Sequence, residues 1–486
     1  MPGQIISDLA QKYNHIDIHF KEDIGGPRAA VTATLPIYTG GLITAQQNAL
    51  NHKVSETRAD RDMRENTLDA ELAARYWGVQ LARSVAALHR SVLEDQNEEL
   101  RRAKRFKQKG LIKSICLMVA QDCNLRCKYC FGDGGSYGQE RAVMTPEVGK
   151  RAIDFLIESC GPRKHCEVDF FGGEPLMNMK TVKAVTEYAR QREKETGKKF
   201  KLTMTTNGML LNDENIKWLN DNDFSLVLSL DGRKEVNDAM RPDAGGHGTY
   251  DRIVKNFKKC IASRKGGDWD YRGVYTYLRG TYTHNNMDFT KDVLSMVDEG
   301  FNILSVEPVV MKDSPLGFTE EDLPRIREEY DRLTEAYMKR HREGRGFWFF
   351  HFNMDLSNGP CVAKRLSGCG AGHEYVAVSE NGDLYPCHQF VGREGYKLGD
   401  IYEGITNTEL PQYFRESHVL NKPKCRDCWA RFFCSGGCHA NADLFHGDIR
   451  EPYEVGCEIQ KKRLECAILV QALLALEKME KEEQKY

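Results

Sequence analysis

Between residues 111 and 310, short apolar segments alternate with longer segments in which apolar residues recur at helical spacing. This alternation is typical of strand–helix units, whose parallel strands are joined by right-handed crossovers. Six such units predict an α/β fold, a partial (β/α)6 barrel related to the complete eight-fold barrel. The strands are predicted at 111–120, 166–171, 200–206, 225–230, 271–282 and 303–310, and helices at 146–160, 181–195, 213–220 and 249–263. Thr145 is predicted to cap the first of these helices, with Pro146 at its first position.

The segments that flank the barrel follow other patterns. Residues 1–110 contain two possible strands followed by a polar, helix-prone stretch, and predict a small α+β N-terminal domain. Residues 311–360 are predicted to form a bridging segment with a charged amphipathic helix at 323–337 and a buried aromatic strand at 347–352. After these come a cysteine-rich region at 361–457 and a C-terminal helix at 458–486.

Length and charge exclude some classes of protein. At 486 residues the chain has material for about two to four domains. Its net charge of −2, from 69 basic and 71 acidic residues, creates no overall field that would attract nucleic acid or a membrane surface. No apolar run reaches the ~18–20 residues that span a bilayer, and the first residues lack the features of a secretory signal. We therefore expect a cytoplasmic protein with no nucleic-acid and no membrane partner.

Sixteen cysteines need an explanation in such a protein, because disulfides are uncommon in a reducing cytosol. Most of them fall in two arrays with the spacing of metal ligands. Five lie outside these arrays and are expected to be small buried residues: Cys116, Cys160, Cys166, Cys260 and Cys466.

The first array, Cys123, Cys127 and Cys130, follows the first predicted strand directly. Three thiolates on one loop can hold a cubic iron–sulfur cluster and leave one of its four irons open, so that a small molecule can bind there. The alternatives are three ligands of a zinc site, with a fourth elsewhere, or plain buried thiols.

Small and polar residues end the following strands. Gly172 and Gly173 would let a ligand approach the backbone, and Glu174 beside them could pair with an ammonium group. Asn207 and Ser229 end the next two strands, where an amide and a hydroxyl are suitable partners for a sugar. Each of these short motifs is also compatible with an ordinary turn.

The C-x3-C-x2-C array followed by Gly172-Gly173-Glu174-Pro175 resembles the radical S-adenosylmethionine (radical SAM) enzymes. The resemblance implies that Cys123, Cys127 and Cys130 are catalytic because they hold a [4Fe–4S] cluster whose open iron binds S-adenosylmethionine. Residues expected near that cofactor are Tyr129, Gly172, Gly173, Glu174, Asn207, Ser229, Arg279 and Glu307. Arg279 and Glu307 could instead form a buried ion pair.

The second array has the core Cys425-x2-Cys428-x5-Cys434-x3-Cys438 and resembles the SPASM extension of radical SAM enzymes. The resemblance implies a first auxiliary [4Fe–4S] cluster on Cys361, Cys369, Cys387 and Cys438. It implies a second auxiliary cluster on Cys425, Cys428, Cys434 and Cys457. If Cys361 does not bind, one auxiliary iron is open. The alternative metal for these pairs of cysteines is zinc.

Segments such as Leu384-Tyr-Pro-Cys-His-Gln-Phe-Val-Gly392 and Cys425-Arg-Asp-Cys-Trp-Ala-Arg431 resemble the maturases of six-cysteine (SCIFF) and related ranthipeptides. The resemblance implies an enzyme that joins cysteine sulfur to carbon in a ribosomally made precursor peptide. A 5′-deoxyadenosyl radical from S-adenosylmethionine would remove the hydrogen. The implied partners are a cysteine-rich precursor peptide and an electron donor such as flavodoxin or ferredoxin. Residues 1–110 would then supply the peptide-recognition element.

Two other interpretations remain open at this point. One is a different radical modification of a peptide or protein, such as oxidation of a cysteine or serine in a sulfatase, or a carbon–carbon crosslink. The other is a metal-stapled binding protein without turnover. The titratable residues nearest the auxiliary ligands in sequence are Asp383 and His388, and Asp383 in Asn-Gly-Asp is more simply a turn residue.

Overall fold

A computed structural model describes residues 111–264, 275–354 and 362–483, which all belong to one compact unit of the chain. Within these residues, eleven strands form one continuous sheet. The strands are β1 (Ser114–Ala120), β2 (His165–Gly172), β3 (Lys199–Thr206), β4 (Ser225–Ser229), β5 (Thr276–Tyr282), β6 (Ile303–Pro308), β7 (Trp348–Phe349), β8 (Tyr375–Val378), β9 (Asp383–Tyr385), β10 (Gly399–Asp400) and β11 (Gly404–Ile405). The expected N-terminal domain, residues 1–110, and Cys361 lie outside the described residues.

Strands β1 to β6 lie side by side in sequence order, and each pairs in parallel with the next. The helices are α1 (Pro146–Ser159), α2 (Met179–Thr196), α3 (Asp213–Asp221), α4 (Lys234–Met240), α5 (Tyr250–Ala262), α6 (Phe289–Asp298), α7 (Leu323–Arg342), α8 (Val362–Arg365), α9 (Glu409–Glu416), α10 (Pro423–Arg426), α11 (Arg431–Cys434), α12 (His439–His446) and α13 (Glu454–Glu483). A helix follows each of β1 to β6, which confirms the predicted partial (β/α)6 barrel. Among the described helices, none combines the length and hydrophobicity required to cross a bilayer.

Local sequence signals mark the start of one barrel helix and the end of another. Helix α1 begins at Pro146, and the Thr145 side chain accepts a hydrogen bond from the backbone N–H of Val148 at 3.3 Å, which confirms the predicted cap. Helix α2 ends at Gly197, whose φ of 69° closes the helix in the left-handed conformation.

Two predicted elements differ from the structure. The aromatic segment 347–352 contributes only the two-residue strand β7, followed by a 3-10 turn that leaves Phe350 54% exposed. The Asn353 amide donates to the carbonyl of Phe349 at 2.8 Å and holds this turn. The C-terminal helix α13 begins at Glu454, before the predicted position 458, so Cys457 lies in its first turn.

The cysteine-rich region is joined to the barrel through the sheet itself. Strand β8 pairs in parallel with β1, with Ser114 opposite Tyr375 and Leu117 opposite Val378. Strands β9, β10 and β11 then continue the sheet with antiparallel pairing. Because β1 leads directly into the first cysteine array, this pairing brings the second array next to the first.

The core of the unit is formed by the faces of the sheet and the helices around it. Strand β1 is buried along its whole length, as expected for a central strand of a parallel sheet. The five cysteines outside the two arrays are all buried, as predicted: Cys116, Cys160, Cys166, Cys260 and Cys466.

Candidate functional site

The first cysteine array lies in a loop that leaves the end of β1. Backbone hydrogen bonds from Arg126 to Pro242 (2.8 Å) and from Lys128 to Met240 (2.9 Å) hold the loop against the chain after α4. Cys123, Cys127 and Cys130 are all half-buried. Burial raises the pKa of Cys123 to about 12, and the charges of Glu174 and of the other two thiols add to this rise. The three thiols are therefore close enough to influence one another's pKa, as is required of ligands that share one cluster.

Gly172 and Gly173 lie where the end of β2 packs closely against the backbone at the start of the cysteine loop, and no side chain would fit there. A Cβ on Gly172 would lie 2.3 Å from the carbonyl oxygen of Ala120, and one on Gly173 would lie 2.1 Å from that of Asp122. Gly173 also donates its N–H to the Ala120 carbonyl at 2.7 Å. The end of β2 is thus pressed against the start of the cysteine loop. Both glycines also line the cavity described below.

We expect Gly173→Ala to distort the cysteine loop, because the new methyl group would meet backbone atoms that cannot rotate away. Overpacking of this kind costs about 1–3 kcal/mol of unfolding free energy, or more. Iron bound by the first array should fall together with the thermal midpoint. Gly346→Ala is the control, since its φ is outside the left-handed region and the atom nearest its Cβ position, Nδ1 of His341, lies 3.4 Å away, so this variant should keep its iron. Full iron content in Gly173→Ala would contradict this prediction.

Glu174 is completely buried, and both of its carboxylate oxygens accept hydrogen bonds from other residues of the protein. One carboxylate oxygen accepts hydrogen bonds from the N–H of Leu176 (3.0 Å) and the hydroxyl of Thr206 (2.8 Å). The other accepts from the N–H of Asn207 at 2.8 Å. Burial raises the pKa of Glu174 to about 7, although these hydrogen bonds oppose the rise. Glu174 therefore joins the end of β2 to the end of β3, and its pairing with an ammonium group stays a prediction.

Asn207 and Tyr129 connect the cysteine loop to the ends of β3 and β4. The Asn207 amide donates to the side-chain oxygen of Asn124 at 2.8 Å and lies 3.6 Å from the sulfur of Cys123. The Tyr129 hydroxyl donates to Asp231 at 2.6 Å and accepts from Arg241 at 3.2 Å. Both predicted residues line the cavity, and these bonds hold them there.

The late-strand residues Arg279 and Glu307 differ in their surroundings. Arg279 lies opposite Ser229 in the register of β4 and β5, its side chain is exposed to the cavity, and it has no ion-pair partner among the described residues. Glu307 pairs with Arg463 of α13 at 2.8 Å and with His351 at 3.1 Å. Glu307 is therefore in an ion pair, with partners other than Arg279, but it is half-buried and also lines the cavity, so a contact with the ligand stays a prediction for both residues.

The second array separates into two sets of thiols. In the first set, burial raises the pKa of Cys387, and the charges of Cys438 and Cys369 raise it further. In the second set, burial raises the pKa of Cys457 to about 12, and three other thiols add to it: Cys434, Cys425 and Cys428. These are the two groups that the resemblance implied, with Cys361 outside the described residues. The assignment of each thiol to a cluster stays a prediction.

Thiols of both arrays face one cavity of about 900 Å³, which runs along the inside of the barrel. The predicted residues that line it are Tyr129, Gly172, Gly173, Asn207, Ser229, Arg279, Glu307, the thiols Cys123, Cys127 and Cys130, and the thiols Cys434, Cys438 and Cys457. His388 lines it too, while Asp383, interpreted from the sequence as a turn residue, is the first residue of β9 and pairs with Lys397 at 2.7 Å.

Arg241 was missed by the sequence analysis. It is 5% exposed, lines the cavity, and its Nε is a buried donor without a hydrogen-bond partner. Only its position after a short helix, in Met-Arg-Pro-Asp, marks it in the sequence, and that pattern is too common to be informative. Burial raises the pKa of Cys127 to about 11 and the Arg241 charge opposes this rise, so the guanidinium is a neighbour of that thiol. An arginine donor in this place fits a ligand that carries a carboxylate beside a metal cluster. The donor set and this free guanidinium atom thus fit an iron–sulfur cluster with bound S-adenosylmethionine.

Comparison with known proteins agrees with this chemistry. The sequence model of the radical SAM superfamily matches residues 117–268, and that of SPASM, an iron–sulfur cluster-binding domain, matches residues 369–429. The chain is 25% identical over 359 residues to the cysteine-type anaerobic sulfatase-maturating enzyme of Clostridium novyi (strain NT), covering 68% of this chain and 90% of that protein.

Solved structures share the fold. Native anSMEcpe with bound S-adenosylmethionine and Cp18Cys peptide has a TM-score of 0.58 at 20% identity, over 75% of this chain and 99% of that one. Streptococcus suis SuiB bound to precursor peptide SuiA has a TM-score of 0.51 at 18% identity, over 74% and 79% of the two chains. The chain therefore has the radical SAM α/β fold with a C-terminal SPASM domain, and its cofactors are S-adenosylmethionine and iron–sulfur clusters.

Proposed function

We propose that this enzyme forms intramolecular thioether crosslinks, from cysteine sulfur to carbon, in a ribosomally synthesised precursor peptide. The observation that carries the proposal is the shared cavity, which thiols of both cysteine arrays line. A volume of about 900 Å³ is at the upper end of ordinary ligand pockets, so it has room for a peptide segment beside a small cofactor. A substrate side chain inside it would be within reach of both metal sites.

The chain's own residues hold the reactants in place. Cys123, Cys127 and Cys130 would bind the first cluster, and Arg241 would orient a carboxylate of the bound cofactor through its free Nε. When bound, S-adenosylmethionine and its cluster supply a carbon radical that can remove a substrate hydrogen. Asn207 holds the loop next to Cys123 through its hydrogen bond to Asn124.

The auxiliary sites suit the formation of a thioether. Cys369, Cys387 and Cys438 would hold one auxiliary cluster, with Cys361 as its fourth ligand if it binds. An auxiliary cluster beside the cavity offers a place for a substrate thiolate and for the electron that a new sulfur–carbon bond releases. We propose a cysteine-rich precursor peptide as the substrate, and flavodoxin or ferredoxin as the electron donor.

The similarity to SuiB, solved with its precursor peptide, supports a peptide substrate, and the resemblance to ranthipeptide maturases supports the thioether. The test is anaerobic incubation with reductant, S-adenosylmethionine and a cysteine-rich precursor. We expect 5′-deoxyadenosine, the loss of two hydrogens per crosslink, and cysteines that can no longer be alkylated. A protein that yields no 5′-deoxyadenosine under these conditions would be a binding protein, and the proposal would be wrong.

A second candidate is oxidation of a cysteine or serine in a sulfatase, which the Clostridium novyi relative favours. The same incubation distinguishes thioether formation from oxidation of a cysteine or serine. Oxidation of serine also removes two hydrogens, but it leaves every cysteine open to alkylation and creates an aldehyde that reacts with hydrazines. Oxidation of cysteine removes the sulfur from the peptide, whereas a thioether keeps it.

A further inference from the structure

Lys422 is a buried cation that the proposed function does not use. Its side chain is 0% exposed, and its ammonium donates to the carbonyl of Gly436 at 2.9 Å. Among the residues that the structure describes, no carboxylate forms an ion pair with it. A buried ammonium is costly unless negative charge compensates it, so some other anion must lie close by.

The cysteines of the second array would supply this negative charge when they bind clusters as thiolates, and the hydrogen bond to Gly436 places the ammonium beside them. Burial lowers the pKa of Lys422, and four thiolates act in the opposite direction: Cys425, Cys438, Cys434 and Cys457. Cys438 belongs to the first set of thiols, and the other three belong to the second. Gly436, which accepts the hydrogen bond, lies between Cys434 and Cys438 in the chain. The ammonium is therefore at the boundary between the two sets.

Local structure fixes the lysine at this boundary. The backbone N–H groups of Cys425 and Arg426 both donate to the Lys422 carbonyl at 3.0 Å, so the lysine begins the turn that carries Cys425. Gly436 has a φ of +86°, and a Cβ on it would be 3.6 Å from Cδ of Lys422. The lysine stem thus packs across this glycine, and its ammonium is held by the Gly436 carbonyl.

We propose that Lys422 is a counter-charge shared by the two auxiliary cluster sites, where it raises the reduction potential of both clusters. This inference rests on the proposed assignment of these cysteines to two clusters. A fixed positive charge in a medium of low dielectric favours the reduced form of a cluster, because that form carries one more negative charge. Lys422 touches no substrate, and its role is to tune the clusters electrostatically.

The test is a redox titration, followed by electron paramagnetic resonance, of the full chain with Cys123, Cys127 and Cys130 replaced by alanine. In this background only auxiliary clusters give a signal. We expect Lys422→Met to lower the reduction equilibrium constant of both clusters at least tenfold, which is about 59 mV for one electron. Lys422→Arg keeps the charge and should stay within threefold of the parent.

Lys461→Met is the matched control. Lys461 pairs with Glu458 at 2.7 Å, and its charge acts on Cys428 and Cys457, both in the second set. Its loss should give a smaller shift, confined to one cluster. If Lys422→Met shifts neither cluster or only one, or if Lys422→Arg shifts them as much, a shared counter-charge is ruled out.

Iron and sulfide analysis tests the assignment of the cysteines to two clusters separately from the role of Lys422. If the parent chain binds less iron than two [4Fe–4S] clusters contain, the assignment of the cysteines to two clusters is wrong. A counter-charge shared between two clusters is then ruled out as well. Two clusters with unmoved potentials would disprove the role of Lys422 alone. Iron lost in Lys422→Met but kept in Lys422→Arg would support the counter-charge, and iron lost in both would show that shape, not charge, is needed.

Discussion

Replacing Cys123, Cys127 and Cys130 together by alanine is expected to abolish both 5′-deoxyadenosine and the crosslinked product, while the auxiliary iron stays bound. The three thiols lie on one loop after β1, and the thiols of the second array lie on separate segments after β7. Loss of the first cluster therefore removes the source of the radical and leaves the other ligands untouched. Product analysis by mass spectrometry and iron analysis on the same sample measure the two effects.

Cys260→Ala is the control for this experiment. Cys260 is fully buried on α5 and does not line the cavity, so its replacement should cost only a modest amount of stability and leave the product yield intact. A triple variant that still forms product at the parent rate would show that the chemistry has another origin. Loss of all iron in the triple variant would show that the two arrays do not fold independently.

Arg463→Met is expected to destabilise the enzyme by about 1–3 kcal/mol, because it removes a buried guanidinium and leaves its hydrogen-bond acceptors, the half-buried Glu307 carboxylate among them, without that donor. Arg463 lies on α13 and is 6% exposed. Its guanidinium donates to Glu307 (2.8 Å), to the carbonyl of Val306 (2.7 Å) and to the hydroxyl of Tyr330 (2.8 Å). Thermal or urea unfolding of the purified variant measures the loss.

The matched control is Arg327→Met, which removes another arginine that contacts α13. Arg327 pairs with Glu458 at 2.6 Å, but its side chain is 47% exposed and that of its partner is 33% exposed. Surface pairs of this kind contribute about 1 kcal/mol or less. Equal losses in the two variants would contradict the prediction that burial, not the ion pair itself, makes Arg463 important.

The same network predicts how stability depends on pH. Burial would raise the pKa of Glu307, but Arg463 and His351 outweigh it and hold the pKa well below its usual range. A carboxyl with a depressed pKa in the folded state stabilises the protein above its unfolded pKa of about 4.3. This stabilisation is lost as the pH falls from there toward the folded pKa. In Arg463→Met the acid-dependent loss should be smaller, and unfolding midpoints measured across this range would show it.

Much of the barrel could be predicted because its signals are local. Apolar segments of strand length, helical periodicity between them, and Thr145 before Pro146 each reflect the conformation of a few neighbouring residues. The aromatic segment at 347–352 was predicted less well. Whether Phe350 is buried depends on how far β7 pairs with β6, and only two residues of β7 do so.

The residues of the site also divide into those with a local sequence signal and those that only tertiary packing brings there. The spacing of the cysteines in each array indicated metal ligands, since residues close in sequence are close in space. Arg241 carries no such signal, because it is more than a hundred residues from the cysteine loop in sequence. The packing of α4 against that loop brings it to Tyr129. The reason for Gly172 and Gly173 was also hidden, because the atoms that exclude a side chain belong to residues 120 and 122.

Short-range spacing in the sequence was enough to predict six strand–helix units in a partial barrel and two cysteine arrays with the spacing of metal ligands, and the family resemblance then implied iron–sulfur clusters. Tertiary structure alone decided that the arrays face one cavity, that Glu307 pairs with Arg463, and that Lys422 lies between two sets of thiols. These facts depend on the parallel pairing of β8 with β1 and on the packing of α13, which join residues hundreds of positions apart.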